Sequence, residues 1–237
     1  MAHKFNVRNA GILDSPDRIR FLNPENNLDE IELSGEMVLA DLGCGTGYFA
    51  IPASFRVKKV FALDIQQEML EILRDKIKKD KISNIEPILS NESSIPLSDN
   101  SIDVLFMANV FHEIEDRDSI LKEGKRILKS HGKLIIIDWK KAEMDFGPPV
   151  EERLNEREVI LICKSNDFEL YKQSYPGLYN YLLIFQKTVP GKEKKLAEKI
   201  SSDKYFHEER KQHSDIDDLV KKTLEDRKKR RQQQLER

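Results

Sequence analysis

Short apolar runs recur along the first 190 residues, and most are followed by a stretch of helical periodicity. The runs at 37–42, 59–63, 85–89, 104–108 and 133–138 are rich in β-branched and large apolar residues and have the length of buried strands. Between the second and third, Met69, Leu70, Ile72, Leu73 and Ile77 fall among charges at the spacing of an amphipathic helix over 67–79. A second helix is predicted at 119–128, closed by Lys129, His131 and Gly132, and a third from Glu151 to about Ser165. Two further apolar segments, 168–175 and 179–186, flank Pro176-Gly177 and predict a hairpin. Such alternation builds a doubly wound α/β sheet, mostly parallel with an antiparallel last strand and with helices on both faces.

The candidate chemistry sits where the first run ends, in Asp41-Leu42-Gly43-Cys44-Gly45-Thr46-Gly47. Glycine at every second position lets a ligand approach the backbone and permits positive φ. A strand, a bare turn and a helix start would offer unpaired N–H groups there. The second run ends at Asp64, where the acid at a strand tip grips a ribose diol. Loop, helix and acid together predict a nucleoside site. The third glycine of a dinucleotide fingerprint is replaced by Tyr48, and Asp41 at the loop mouth favours a cation over a pyrophosphate.

On these residues the chain resembles the class I S-adenosylmethionine-dependent methyltransferases. Its first motif and Gly147-Pro148-Pro149 region are most like the ubiquinone/menaquinone-biosynthesis-type group. The resemblance covers roughly 27–187 and implies a Rossmann-like fold with S-adenosylmethionine as cofactor. It implies cofactor contacts from Asp41, Gly43, Cys44, Gly45, Thr46, Gly47, Asp64 and Ile65. Asn91 and Glu92 fall where the family receives the adenine amino group, and Asn109 borders the methyl group. His112 and Asp138, at the tips of the fourth and fifth strands, are the catalytic candidates: His112 as a base titrating near neutral pH, Asp138 as a group positioning a nucleophile. The other reading of His112 is a polar residue bonded to the loop backbone. For Cys44 a small residue filling a tight turn is favoured over a reactive thiol.

The Asn109-Val110-Phe111-His112 tip lacks the Pro-Pro-Tyr of enzymes that methylate amide or adenine nitrogens, and neither Cys44 nor Cys163 is placed for cytosine-carbon chemistry. A small-molecule acceptor is the first expectation, a protein or RNA acceptor the second, a non-catalytic binding module the third, and a nicotinamide oxidoreductase the last. The segment around 146–149 would wall the acceptor, while Trp139 either plugs the sheet edge or stacks on substrate.

Bulk properties narrow this only slightly. In 237 residues with a net charge of -2, nucleic-acid binding through overall positive charge is disfavoured. Two cysteines make neither a disulfide framework nor a metal set, and no run reaches transmembrane length. A cytoplasmic protein without metal is the expectation. The domain organisation read from the sequence is a catalytic domain over 1–187, with 1–26 as a possible lid carrying His3, Phe5 and Asn6, then a charged helical extension over 188–237. That extension has 15 Lys and Arg against 11 Asp and Glu, +4 where the rest is -6. Its thin apolar stripe would serve oligomer contacts, and its basic run at 227–231 is a solvated helix end or, less favoured, a handle for RNA.

Overall fold

A computed structural model describes residues 5–91 and 93–188. His3, Glu92 and the expected extension beyond 188 lie outside the described residues.

Seven strands form one sheet. In chain order they are β1 (Val38–Leu42), β2 (Lys59–Asp64), β3 (Ile85–Leu89), β4 (Ile102–Ala108), β5 (Leu128–Trp139), β6 (Phe168–Ser174) and β7 (Asn180–Lys187). Their spatial order is β3-β2-β1-β4-β5-β7-β6. β1 to β5 pair in parallel; β6 and β7 form the predicted antiparallel hairpin, and β7 inserts between β5 and β6.

The helices are α1 (Ala10–Leu13), α2 (Pro16–Ile19), α3 (Pro24–Asp29), α4 (Ala50–Ser54), α5 (Gln67–Asp80), α6 (Arg117–Ile127) and α7 (Glu156–Ser165). Alternate residues of each strand feed two cores, because successive side chains leave opposite faces of a pleated sheet. Leu39, Val60, Phe106 and Ile135 meet Leu70 and Leu73 of α5 on one face. Ala40, Leu105, Leu134 and Leu183 meet Ile120 and Leu121 of α6 and Val159 and Cys163 of α7 on the other. Strands buried on both faces read as continuous apolar runs, which is why they were legible in the sequence.

The helix boundaries are where the sequence pattern misled. The helix leaving the glycine loop has only five residues, and its N-cap, Phe49, supplies no side-chain cap. α7 starts at Glu156, not Glu151. Asn155 caps it, accepting from the Glu158 N–H while the Glu158 carboxylate accepts from the Asn155 N–H. Upstream, Arg153 holds the loop by donating to the carbonyls of Ala142, Phe146 and Pro148, so 150–153 cannot join the helix. β5 begins at Leu128, directly after α6, instead of at Lys133.

Strand register decides which tips meet. Leu42 lies beside Leu63, Ala108 beside Ile137, and Trp139 beside Asn180. The chain leaving β1, β2, β4 and β5 therefore converges at one edge, where open α/β sheets bind ligands. The Asn155 cap gives a direct test. Asn155→Ala should cost about 1 kcal/mol and lower Tm by roughly 2–4 °C, read by thermal unfolding followed by circular dichroism; an unchanged Tm would contradict the cap.

Candidate active site

The glycine loop is shaped by its own hydrogen bonds. Gly43, Gly45 and Gly47 have φ of +75°, +52° and +89°, values that L side chains rarely adopt. The N–H groups of Gly43 and Cys44 both donate to the Leu63 carbonyl at the end of β2, at 2.8 and 3.0 Å. Gly45 N–H donates to Asp64 Oδ2 at 2.8 Å, and Gly47 N–H to the Cys44 carbonyl at 2.9 Å. These four donors are thus consumed within the protein. The expected cradle of unpaired N–H groups is corrected at these four positions: their donors are taken, and the loop presents a close-approach surface beside two acids.

Those acids are Asp41 and Asp64, both buried and both lining a cavity of about 720 Å³. Asp64 Oδ1 accepts the Gln66 N–H at 2.9 Å, so each carboxylate oxygen holds one peptide N–H and keeps a lone pair for a hydroxyl. Burial raises the Asp64 pKa, held back by the N–H groups of Gln66, Gly45 and Ile65. Asp41 is pushed up to about 7, by burial first and by the Asp64 charge second, against the opposing pull of Arg18. Two buried acids side by side with incomplete cationic compensation form a site that welcomes a cation.

At the β4 and β5 tips a second constellation borders the same cavity. His112 Nδ1 lies 2.7 Å from Asp138 Oδ1, and the His112 backbone N–H donates to Asp138 Oδ2 at 3.0 Å. Both side chains are buried, and His112 Nε2 is 3.8 Å from Glu113 Oε1. Burial works against charge on the ring, but the Asp138 carboxylate, its hydrogen bond, and Glu113 and Glu152 outweigh it and raise the His112 pKa above its ordinary value. Asn109 is held at φ +57°, its N–H on the Ile137 carbonyl and its Oδ1 taking the Asn180 amide at 2.8 Å.

The N-terminal residues form the remaining wall. Gln66 donates to the Phe5 carbonyl and the Phe5 N–H to Glu113. Asp14 takes the Thr46 hydroxyl at 2.8 Å and the Lys76 ammonium at 2.7 Å, tying α1 and α2 to the glycine loop. Leu13 stands 3.2 Å from where a side chain on Gly45 would begin. Phe21, Phe146 and Trp139 form an aromatic cluster that lines the cavity, with Phe21 and Phe146 ring centroids 4.7 Å apart.

Of the residues singled out from the sequence, Asp41, Gly43, Cys44, Gly45, Thr46, Asp64, Ile65, Asn91, Asn109 and His112 line this cavity. Gly47 does not; its missing side chain makes room for Leu73 and Ile51, so its role is packing. Asp138 is not among the lining residues and is held against His112. The Asn91 Oδ1 accepts the N–H groups of Ser93 and Ser94 and serves the turn. Burial raises the Cys44 thiol pKa well above its ordinary value, in keeping with a filler residue. Phe146, in the segment expected to wall the acceptor, lines the cavity as well; so do Arg18, Gln66, Val110 and Glu113, which were not read from the sequence. Each arrives through a loop or the N-terminal segment, where no periodicity marks it. No metal-ligating cluster occurs among the described residues, and no helix there is long and apolar enough to cross a membrane.

Comparison with known proteins agrees with this geometry. A family model described as a methyltransferase domain matches residues 40–136. A solved structure of a S-adenosylmethionine-dependent methyltransferase from Aquifex aeolicus is 36% identical, with a TM-score of 0.75 over 78% of this chain and 100% of that one. The ubiquinone/menaquinone biosynthesis C-methyltransferase of Haemophilus ducreyi is 31% identical over 58% of this chain and 55% of its own length. An uncharacterized methyltransferase-like protein of Schizosaccharomyces pombe is 34% identical over 46% of this chain and 41% of its own. The chain thus spans about half the length of the curated relatives it matches.

The raised Asp41 pKa carries a stability cost of known sign. Below about pH 4 folded and unfolded chains both hold the proton and nothing is lost; as pH rises toward 7 the unfolded chain releases it first, and the fold weakens. Asp41→Asn, which cannot ionise, should be more stable than the parent by roughly 2–4 kcal/mol at pH 8 and by nothing near pH 3. Denaturant titrations at the two pH values measure this, and a pH-independent difference would contradict it.

Proposed function

We propose that this chain, which belongs to the S-adenosylmethionine-dependent methyltransferases, moves a methyl group from that donor to a small-molecule acceptor by in-line displacement. The observation that carries the reading is one cavity lined by two buried carboxylates, Asp41 and Asp64, and by His112, which is paired with Asp138. The donor set fits the cofactor: Asp64 has lone pairs for a ribose diol, Asp41 suits an ammonium or sulfonium, and the loop N–H groups of Gly43, Cys44, Gly45 and Gly47 are already taken within the protein. A small acceptor is supported by the aromatic wall of Phe21, Trp139 and Phe146 and by the quinone-pathway name of the Haemophilus ducreyi relative.

The donor supplies a methyl group on an excellent leaving group, so the protein's work is alignment and exclusion of water. Positioning of this kind is worth roughly 7–11 kcal/mol in favourable cases. The Asp138 carboxylate accepts the His112 Nδ1 proton and fixes the tautomer, leaving Nε2 as the basic nitrogen. Nε2 then takes the proton of an acceptor that must lose one on methylation. Asn109, pinned by Asn180, borders the transfer path. The N-terminal residues close over the donor, with Asp14 as their latch on Thr46 and Lys76.

Labelled donor incubated with size-fractionated cell extract tests the reading. Label should enter small metabolites; label in protein or RNA would overturn the acceptor class, and no transfer with binding intact would favour a binding module. With an acceptor in hand, kcat/KM should fall as pH drops through a midpoint above the ordinary imidazole value, since only neutral His112 is a base. His112→Gln should abolish that limb and lower kcat about 10²–10⁴-fold; Asp138→Asn should move the limb to lower pH. Asp14→Ala should weaken donor binding several-fold by calorimetry, and unchanged affinity would remove the latch.

A further inference from the structure

A polar pair joins the tips of β4 and β7 beside the aromatic wall. Asn180 opens β7, faces Trp139 of β5 in register, and follows Tyr179, whose ring centroid lies 4.5 Å from that of Phe146 and 5.9 Å from that of Phe21. The Asn180 side chain is fully buried and makes one hydrogen bond among the described residues, from Nδ2 to Asn109 Oδ1 at 2.8 Å; its own Oδ1 has no partner there. A buried amide satisfied on one side only costs stability against an apolar residue of similar size. Its effect is orientation. Asn109 lines the cavity, its backbone stands at φ +57° with the N–H on the Ile137 carbonyl, and its Oδ1 is occupied by Asn180. The Nδ2 group of Asn109, with two N–H donors, makes no hydrogen bond among the described residues.

We infer that Asn109 is the hydrogen-bond donor to an oxygen of the methyl acceptor, and that Asn180 sets this polarity by occupying the amide oxygen. This rests on the small-acceptor reading of the same cavity and narrows the acceptor class. It favours molecules that present a carbonyl or hydroxyl oxygen to the amide over those that present an ammonium or an aryl amine, which offer donors only. As His112 Nε2 takes the proton of an acceptor hydroxyl, the electron pair stays on the oxygen, and Asn109 Nδ2 donates to the charge as it develops. An amine in the same place would set donor against donor and leave both unpaired. The acids that line the cavity, Asp41, Asp64 and Glu113, do not create this preference, because they repel an oxyanion. Asn180 touches no ligand in this scheme and is a positioning residue.

Calorimetric titration of the full chain, saturated with S-adenosylhomocysteine in mildly alkaline buffer, tests the inference with two planar probes of similar size. One is para-nitrophenolate, which accepts at its oxygen; the other is para-nitroaniline, which donates from its nitrogen. The wild type should bind the phenolate about ten- to a hundredfold more tightly, the range of a hydrogen bond to a charged group. His112 and the cavity acids act alike in every variant, so the change of ratio between variants isolates the amide. Asn109→Leu should bring the ratio down about tenfold with no gain for the aniline. Asn180→Leu, which frees the Asn109 amide to turn its oxygen into the cavity, should lower the ratio and also tighten para-nitroaniline several-fold, a gain that loss of folded protein cannot produce. A wild-type ratio near one, a ratio unchanged in both variants, or no saturation by either probe would overturn the inference and leave the donor site standing. Failure of S-adenosylhomocysteine to bind would instead bring down the donor reading, and this inference with it.

Discussion

The Asp64 carboxylate holds the site together. One oxygen receives the Gly45 N–H from the loop after β1, the other the Gln66 N–H at the start of α5. Two parallel strands are thereby locked at their tips, and the glycine loop is stretched between them at positive φ. Because the Leu63 carbonyl also takes two loop N–H groups, the loop has little freedom left to respond to a ligand. The site is preorganised by the protein's own hydrogen bonds, and its remaining valence is negative.

That negative valence has a cost. Asp41 and Asp64 are buried near one another, and Arg18 only partly offsets their repulsion, so the folded chain holds a proton on Asp41 to an unusually high pH. Strain of this kind is tolerable because a cluster of twenty buried apolar residues on each face of the sheet holds the tips where they are.

The cluster around His112 is organised by register. Antiparallel insertion of β7 beside β5 brings Asn180 against Trp139 and so against Asn109 on β4. The β4–β5 pairing sets Asp138 within hydrogen-bonding distance of the His112 ring while Asp138 itself stays out of the cavity lining. The two constellations share one cavity because all four tips lie at the same edge of the sheet.

The sequence by itself determined the strands, the fold class and the acids at the β1 and β2 tips, because burial on both faces writes apolar runs and positive φ writes glycine. It also placed His112 and Asp138 at strand tips, though not at bonding distance from each other. Tertiary structure decided the rest. Whether a loop N–H is free depends on where the Leu63 carbonyl and the Asp64 oxygens come to lie, and they took the donors that glycine spacing alone made look available. Gly47 and Gly45 are indistinguishable in the sequence, yet one accommodates Leu73 and the other borders the cavity. Arg18 looks like any charged residue in a short helix; only folding of the N-terminal segment over the glycine loop turns its guanidinium inward, since that contact is made across the fold and leaves no periodic trace in the chain.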